Sequence, residues 1–178
     1  MNICLFHKNC RLIPYAECHH QQTVEWLNNP VVFKSFGLTK KVTIESHRQW
    51  IKSLNQTLIW AIFDSTNIYC GNILLFINPQ HYSAFFQLYI GRDDVRGKGI
   101  GYSSLAAVVQ YAFDCLKLNR IWLQVFPDNI YAIKLYKKIG FVQEGIEKQS
   151  NYFEGHFRDQ LRFSLLKEDW KKNKGELL

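Results

Sequence analysis

The chain contains no apolar run approaching the ~20 residues of a membrane-spanning helix, which argues against a membrane protein. Internal repeats, low-complexity segments and long linkers are also missing. One α/β domain over residues 1–178 is the economical reading, with 167–178 expected as a short helical turn and a frayed end. The five cysteines, Cys4, Cys10, Cys18, Cys70 and Cys115, are odd in number and widely spaced, with no CxxC pair and no secretory leader ahead of them. That pattern excludes a disulfide framework and points to reduced thiols in a cytoplasmic protein. Cys18-His19-His20 has no second ligand cluster to complete it, and neighbours on a helix point in different directions, so no metal is expected. Acidic residues are in short supply, 15 against 22 lysines and arginines, a formal charge of +7. Such a surface favours an anionic partner, with phosphate-bearing small molecules, nucleic acid and a membrane surface all suited by charge. The basic residues are scattered without an aromatic platform, which makes nucleic acid an unfavoured partner.

What is present is a core: 47% of the residues are hydrophobic and 15% aromatic, enough for a globular protein. Asn2 to Pro14 reads as a strand closed by proline, and Glu17 to Asn28 as a helix stopped before Asn29-Pro30. Thr43 opens a second helix with Ile44, His47, Trp50, Ile51 and Leu54 on one face. Thr57 to Phe63, Asn67 to Ile77 and Tyr82 to Ile90 follow as β-formers split by short polar turns, a meander in which Gly71 marks a bulge or bend. Leu105, Val108, Val109, Ala112 and Leu116 then give a broad apolar helical face. Asn119 to Phe126 is a further strand, and Asn129 caps a helix ended by Gly140, on which Ala132, Leu135, Tyr136 and Ile139 share one side. Two last strands run from Phe141 to near Leu166.

The run Arg96-Gly97-Lys98-Gly99-Ile100-Gly101 lies between a strand and a long helix. This order aims backbone N–H groups and the positive end of the macrodipole at one point, an anion site and most simply a phosphate site. It is not a P-loop, since no Gly-Lys-Ser/Thr follows, and it lacks the Gly-x-Gly-x-x-Gly of a dinucleotide fold. About thirty residues on stands Asn129-Ile130-Tyr131-Ala132-Ile133-Lys134-Leu135-Tyr136-Lys137-Lys138-Ile139-Gly140-Phe141. The ordered pair resembles the GNAT superfamily of acetyl-CoA-dependent N-acetyltransferases, whose loop reads Arg/Gln-x-x-Gly-x-Gly/Ala and whose later helix reads Asn-x-x-Ala-x-x-x-Tyr-x-x-x-Gly-Phe.

That resemblance implies a mixed, mostly antiparallel sheet of about seven strands splayed at strands 4 and 5 and flanked by about four helices. It implies acetyl-CoA held by main-chain groups of Leu88, Tyr89 and Ile90, by the amides of Arg96, Gly97, Lys98, Gly99, Ile100 and Gly101, and by Asn129. Tyr136 becomes the proton donor to the CoA sulfur; from periodicity alone it is a core tyrosine. Where many relatives carry a glutamate this chain has Phe85, so a general base is not evident. Trp26, His47, Tyr152, Glu154 and His156 are candidate acceptor-side residues. Glu25-Trp26-Leu27-Asn28-Asn29-Pro30, His47-Arg48-Gln49-Trp50 and Gly155-His156-Phe157-Arg158-Asp159 resemble the branch of ribosomal-protein, spermidine and nucleotide-amino-sugar acetyltransferases. Within it the likeness is to enzymes acetylating a UDP-linked 4-amino sugar in pseudaminic-acid-type pathways, with protein N-terminal acetylation as runner-up and polyamines disfavoured by the charge. A CoA-binding sensor module is the non-enzymatic alternative, and a homodimer is compatible with the family.

Overall fold

The computed structural model describes the backbone of residues 3–177 and the side chains of residues 3–172. Its β-branched and aromatic runs form a single sheet in the order β1-β2-β3-β4-β5-β6-β8-β7, eight strands among the described residues. The strand expected to begin at Asn2 falls partly outside the described residues. Within them it is a hairpin, β1 (Leu5–His7) and β2 (Cys10–Pro14), which supplies the strand beyond the seven expected. Lys8 takes a positive φ of 46° at its turn, a local backbone choice that hydropathy does not announce.

β3 (Thr57–Asp64), β4 (Tyr69–Asn78) and β5 (Ser83–Ile90) are the antiparallel meander. Ile62 faces Gly71 and Phe63 faces Tyr69, so Cys70 is the extra residue of a bulge beside Gly71. A methyl group on Gly71 would sit 2.1 Å from the Tyr89 carbonyl oxygen, so only glycine lets β5 approach β4 there. β6 (Arg120–Val125) pairs parallel to β5, but only from Ser83 opposite Arg120 to Phe85 opposite Trp122. Beyond these residues the two strands part, which is the splay expected between the fourth and fifth strands of the sequence reading. β7 (Val142–Phe153) and β8 (His156–Leu166) close the sheet.

One face carries α4 (Ile100–Asp114), buried from Leu105 to Val109 and again at Tyr111, Ala112 and Phe113, and α5 (Ile130–Ile139). The other carries α1 (His20–Leu27), α2 (Pro30–Ser35) and α3 (Ile44–Ser53). α2 was not anticipated. Asn29 ends the preceding segment and also caps α2, accepting from the Val31 amide at 3.0 Å, with Pro30 as its first residue. Glu17–His19 is a 3₁₀ turn leading into α1. Trp50, expected to pack, is 39% exposed. α6 (Lys167–Leu177) starts as a docked helix, because Trp170 is buried in the main core.

Candidate functional site

The glycine loop is held from two sides. From its own side, the Arg96 guanidinium turns back and donates to the Ile90 carbonyl from Nε at 3.1 Å and from Nη2 at 2.9 Å, while Nη1 pairs with Asp93 at 2.6 Å. Arg96 therefore fastens the loop to the end of β5 instead of offering its charge to an anion. Across the loop, the Asn9 side chain donates to the Lys98 carbonyl at 3.1 Å and accepts from the Ser103 hydroxyl at 2.7 Å. The amides of Arg96 and Lys98 bond locally to Asp93 and Val95 at 3.2 and 3.3 Å. That leaves the amides of Gly97, Gly99 and the first turn of α4, Ile100 and Gly101, without a backbone partner among the described residues. Gly97 and Gly99 have φ of 76° and 82°, and a methyl group on Gly97 would meet nothing within 4 Å. A backbone in this conformation with open space over it fits a diphosphate. The Lys98 side chain is exposed beside it.

Leu88 and Ile90 of β5 and Leu135 of α5 converge on Gly101, where an added methyl would lie 3.9, 3.9 and 3.5 Å away respectively. The loop, the free end of β5 and α5 thus share one corner. Tyr136 follows Leu135, and its ring packs 5.6 Å from Phe86, edge to face, and 6.4 Å from Phe163. Burial pushes its phenol above the ordinary tyrosine value, so it keeps its proton at neutral pH. Among the described residues its hydroxyl has no hydrogen-bond partner. Asn129 caps α5, its side-chain oxygen accepting from the Ala132 amide at 3.3 Å and leaving its amide nitrogen free of protein partners among the described residues. Asp128 beside it is held by Arg158 at 3.1 Å and Lys34 at 3.7 Å, tying this loop to β8 and α2.

Successive side chains of a strand point to opposite faces, so Gln87 and Tyr89 face away from Tyr136. They line a cavity of about 360 Å³ between β3–β5 and the layer of α1 and α3. Leu27, Phe36, Leu38, Val42, Ile51 and Leu74 supply most of its wall. Its polar parts are neutral. The Asn72 amide donates to the Tyr89 hydroxyl at 2.6 Å and to Thr23 at 3.0 Å, and accepts from Tyr69 at 2.7 Å. Tyr15 bonds His47 Nε2 at 2.8 Å. Burial, with a smaller contribution from His20, lowers His47 to about 4, and burial raises Tyr15 to about 12.

The candidate acceptor residues do not assemble as one group. His47 lines this cavity. Trp26 is buried 4.7 Å from the Tyr69 ring and against Gly91, where a methyl group would strike its indole at 2.0 Å, so it supports the cavity from behind. Tyr152, Glu154 and His156 are exposed at the β7–β8 turn, where Glu154 and Gly155 have φ of 47° and 85°. Phe85, in place of the glutamate of many relatives, stacks 4.6 Å from Trp122 and 5.6 Å from Phe76. Sequence reasoning missed Asn9, Tyr15, Thr23, Asn72 and Gln87. Each is an ordinary turn, helix or strand residue locally, and only long-range pairing brings it to the site. Among the described residues no group of three or more His, Cys, Asp or Glu could hold a metal ion, and no helix is long and apolar enough to cross a membrane.

A mixed sheet parted at one strand pair, with partner-free amides at the head of a helix and an unpartnered phenol nearby, is a layout suited to an acyltransferase. A family model for the acetyltransferase (GNAT) domain matches residues 10–142, and the chain belongs to that family of enzymes, which use acetyl-CoA. It is similar to spermidine N(1)-acetyltransferase of Vibrio cholerae, 34% identical over 52% of this chain and 53% of that protein, so the match spans about half of that relative. It is also similar to acetyltransferase PseH of Campylobacter jejuni, 29% identical over 80% of this chain and 90% of that protein. Among solved structures, spermidine N-acetyltransferase from Vibrio cholerae in complex with CoA and spermine superposes with a TM-score of 0.85 over 92% of this chain and 98% of that one. At 23% identity this last likeness speaks for the fold alone.

Proposed function

We propose that the protein transfers the acetyl group of acetyl-CoA to a primary amine by direct attack in a ternary complex, and that the acceptor is the 4-amino group of a UDP-linked aminodideoxy sugar. Acetyl-CoA supplies a thioester whose carbonyl carbon takes the amine nitrogen as the C–S bond breaks. The edge of β5 at Leu88, Tyr89 and Ile90 that β6 leaves uncovered, apart from the Ile90 carbonyl already held by Arg96, offers main-chain groups to the pantetheine arm and the thioester oxygen. Gly97, Gly99, Ile100 and Gly101 bind the diphosphate, Arg96 and Asn9 hold the loop that presents them, and Asn129 borders the arm. Tyr136 gives its proton to the departing thiolate, and the proton lost by the amine leaves to water, since no carboxylate lines the cavity.

The observation that carries this reading is the Tyr136 phenol: ring fixed by Phe86 and Phe163, hydroxyl unpartnered among the described residues, proton retained by burial. The sugar acceptor is supported by the formal charge of +7, by the likeness to PseH, and by a largely apolar cavity that suits a deoxy position. Thiol release from acetyl-CoA, measured with UDP-linked 4-amino sugars, polyamines and short peptides with free N-termini, tests it. Tyr136→Phe is expected to lower turnover by about 10²–10⁴ with acetyl-CoA affinity retained. Unchanged turnover removes Tyr136 from the chemistry, and peptide preference removes the sugar.

A further inference from the structure

The cavity behind β5 has an unusual composition for a site that handles a basic amine. None of the described residues lining it is an aspartate, glutamate, lysine or arginine. Its floor is an amide and hydroxyl network already closed on itself: Asn72 uses its oxygen on Tyr69 and its nitrogen on Thr23 and Tyr89. The Tyr89 hydroxyl accepts from Asn72 and also lies in hydrogen-bonding reach of Thr23, so it belongs to this closed floor. Gln87, one residue before Leu88 on the same strand, lines the cavity and makes no side-chain hydrogen bond among the described residues, so both ends of its amide are open. The cavity therefore offers neutral donors and acceptors next to the reacting strand and apolar wall elsewhere.

Resting on the reading above, we propose that this cavity receives the amine-bearing end of the acceptor and selects one that is uncharged apart from the amine itself, with the Gln87 amide orienting the attacking nitrogen. Placing a second ammonium in an apolar wall without a carboxylate costs far more than placing a methyl or a hydroxyl that finds a partner. The same surroundings favour the neutral, nucleophilic form of the amine, because desolvation disfavours the ammonium. Amines made less basic by neighbouring oxygen substituents enter in that form most readily. His47 and Tyr15 stay uncharged through the neutral range, so they add no field that would reverse this choice. A polyamine, with ammonium groups along its whole length, is the acceptor this wall rejects.

The test compares kcat/KM for the methyl glycoside of a 4-amino-4,6-dideoxyhexose with kcat/KM for spermidine at saturating acetyl-CoA. The glycoside is expected to be preferred by about 10²-fold. Leu38→Glu puts a carboxylate on the half-buried wall after α2; it should narrow that preference at least about tenfold, leaving KM for acetyl-CoA in place. Gln87→Leu should lower kcat for the glycoside about tenfold or more, at unaltered KM for acetyl-CoA, through lost orientation. It remains informative if the wall variant fails to fold. Preference for spermidine, or unchanged selectivity in Leu38→Glu, overturns the proposal; unchanged kcat in Gln87→Leu overturns the orienting role. A short C-terminally amidated peptide with uncharged side chains outrunning the glycoside would remove the sugar reading while supporting an uncharged acceptor body. If no amine releases thiol, the acetyl-transfer reading fails on its own, and Trp50 fluorescence of the CoA-loaded protein, with Trp50→Phe as control, decides. Tighter glycoside than spermidine binding sustains the proposal, and the reverse, or binding of neither, ends it.

Discussion

Acidification to pH 5 should loosen the helical layer over the cavity, and His47 is the reason. The ring is only 3% exposed, bonded to Tyr15 at 2.8 Å and packed 4.9 Å from His20. Burial is the larger cause of its lowered pKa of about 4, and a positive charge at His20 adds to it. In the unfolded chain the same imidazole titrates near ~6.5. Between those values the unfolded state binds the extra proton, so stability rises with pH in this window. The contribution is fully present above about pH 6.5 and is lost as pH falls toward about 4. At pH 5 the two constants imply a loss of about 2 kcal/mol, or about 1–2 after allowance for partial screening by water. His19 and His20 are also lowered, chiefly by burial, and push in the same direction. The Glu17 carboxylate opposes the fall at His20, while Arg48 adds to it. Carboxylates act lower on the scale: the Arg120 and Ser164 hydrogen bonds hold Glu144 at about 2, so its contribution is lost only in stronger acid. Urea midpoints at pH 7.5 and 5.0 measure the effect. His47→Gln, which keeps a hydrogen bond available to Tyr15 and removes the titration, should flatten the slope between them. An equal slope in the parent and in His47→Gln would refute the assignment.

Gly71→Ala should destabilise the fold by about 2 kcal/mol or more, because the new methyl meets a neighbouring carbonyl oxygen at 2.1 Å and not a side chain that can swing away; thermal melting with circular dichroism reads it. Asn9→Ala removes the bonds to the Lys98 carbonyl and the Ser103 hydroxyl. At about 1 kcal/mol each, KM for acetyl-CoA should rise about thirtyfold with kcat little altered, and equal losses in both parameters would show that Asn9 supports the whole fold instead. Gly99→Ala forces a side chain into φ of 82°; it should cost about 1–2 kcal/mol and weaken CoA binding measured by calorimetry.

Much of this architecture is legible in the sequence because local chemistry and global fold agree. Asn129 and Gly140 bracket α5 by cap and αL stop, and the three glycines between a strand and a helix sit where the loop lies. The opening beside β5 came from family resemblance, since no residue pattern states that pairing stops after Phe85. α2 was written in Asn29-Pro30 but read as an end only, although the same pair is also a start. Arg96 shows a different limit. A loop arginine beside a phosphate-type turn would ordinarily be aimed at the anion, yet the carbonyl at the end of β5 takes its guanidinium. The Thr23, Tyr69, Asn72 and Tyr89 network joins α1, β4 and β5, and no local window contains it.

β5 is where these threads meet. Its even residues Phe86, Leu88 and Ile90 touch Tyr136 or the first turn of α4, and its odd residues Gln87 and Tyr89 floor the cavity. One strand therefore stands between the Tyr136 corner and the cavity, the proposed donor and acceptor sides, and its alternation decides which groups each side meets. A slip by one residue would exchange the two sets and put Gln87 against the helices and Leu88 in the cavity. The bulge at Cys70, the close approach allowed by Gly71, and the Arg96 clamp on Ile90 all act on the same end of this strand. The register is thus fixed where β5 has already left β6 and can no longer be held from that side, which is what an open sheet needs if main-chain groups at Leu88 to Ile90 are to stay aimed at a thioester.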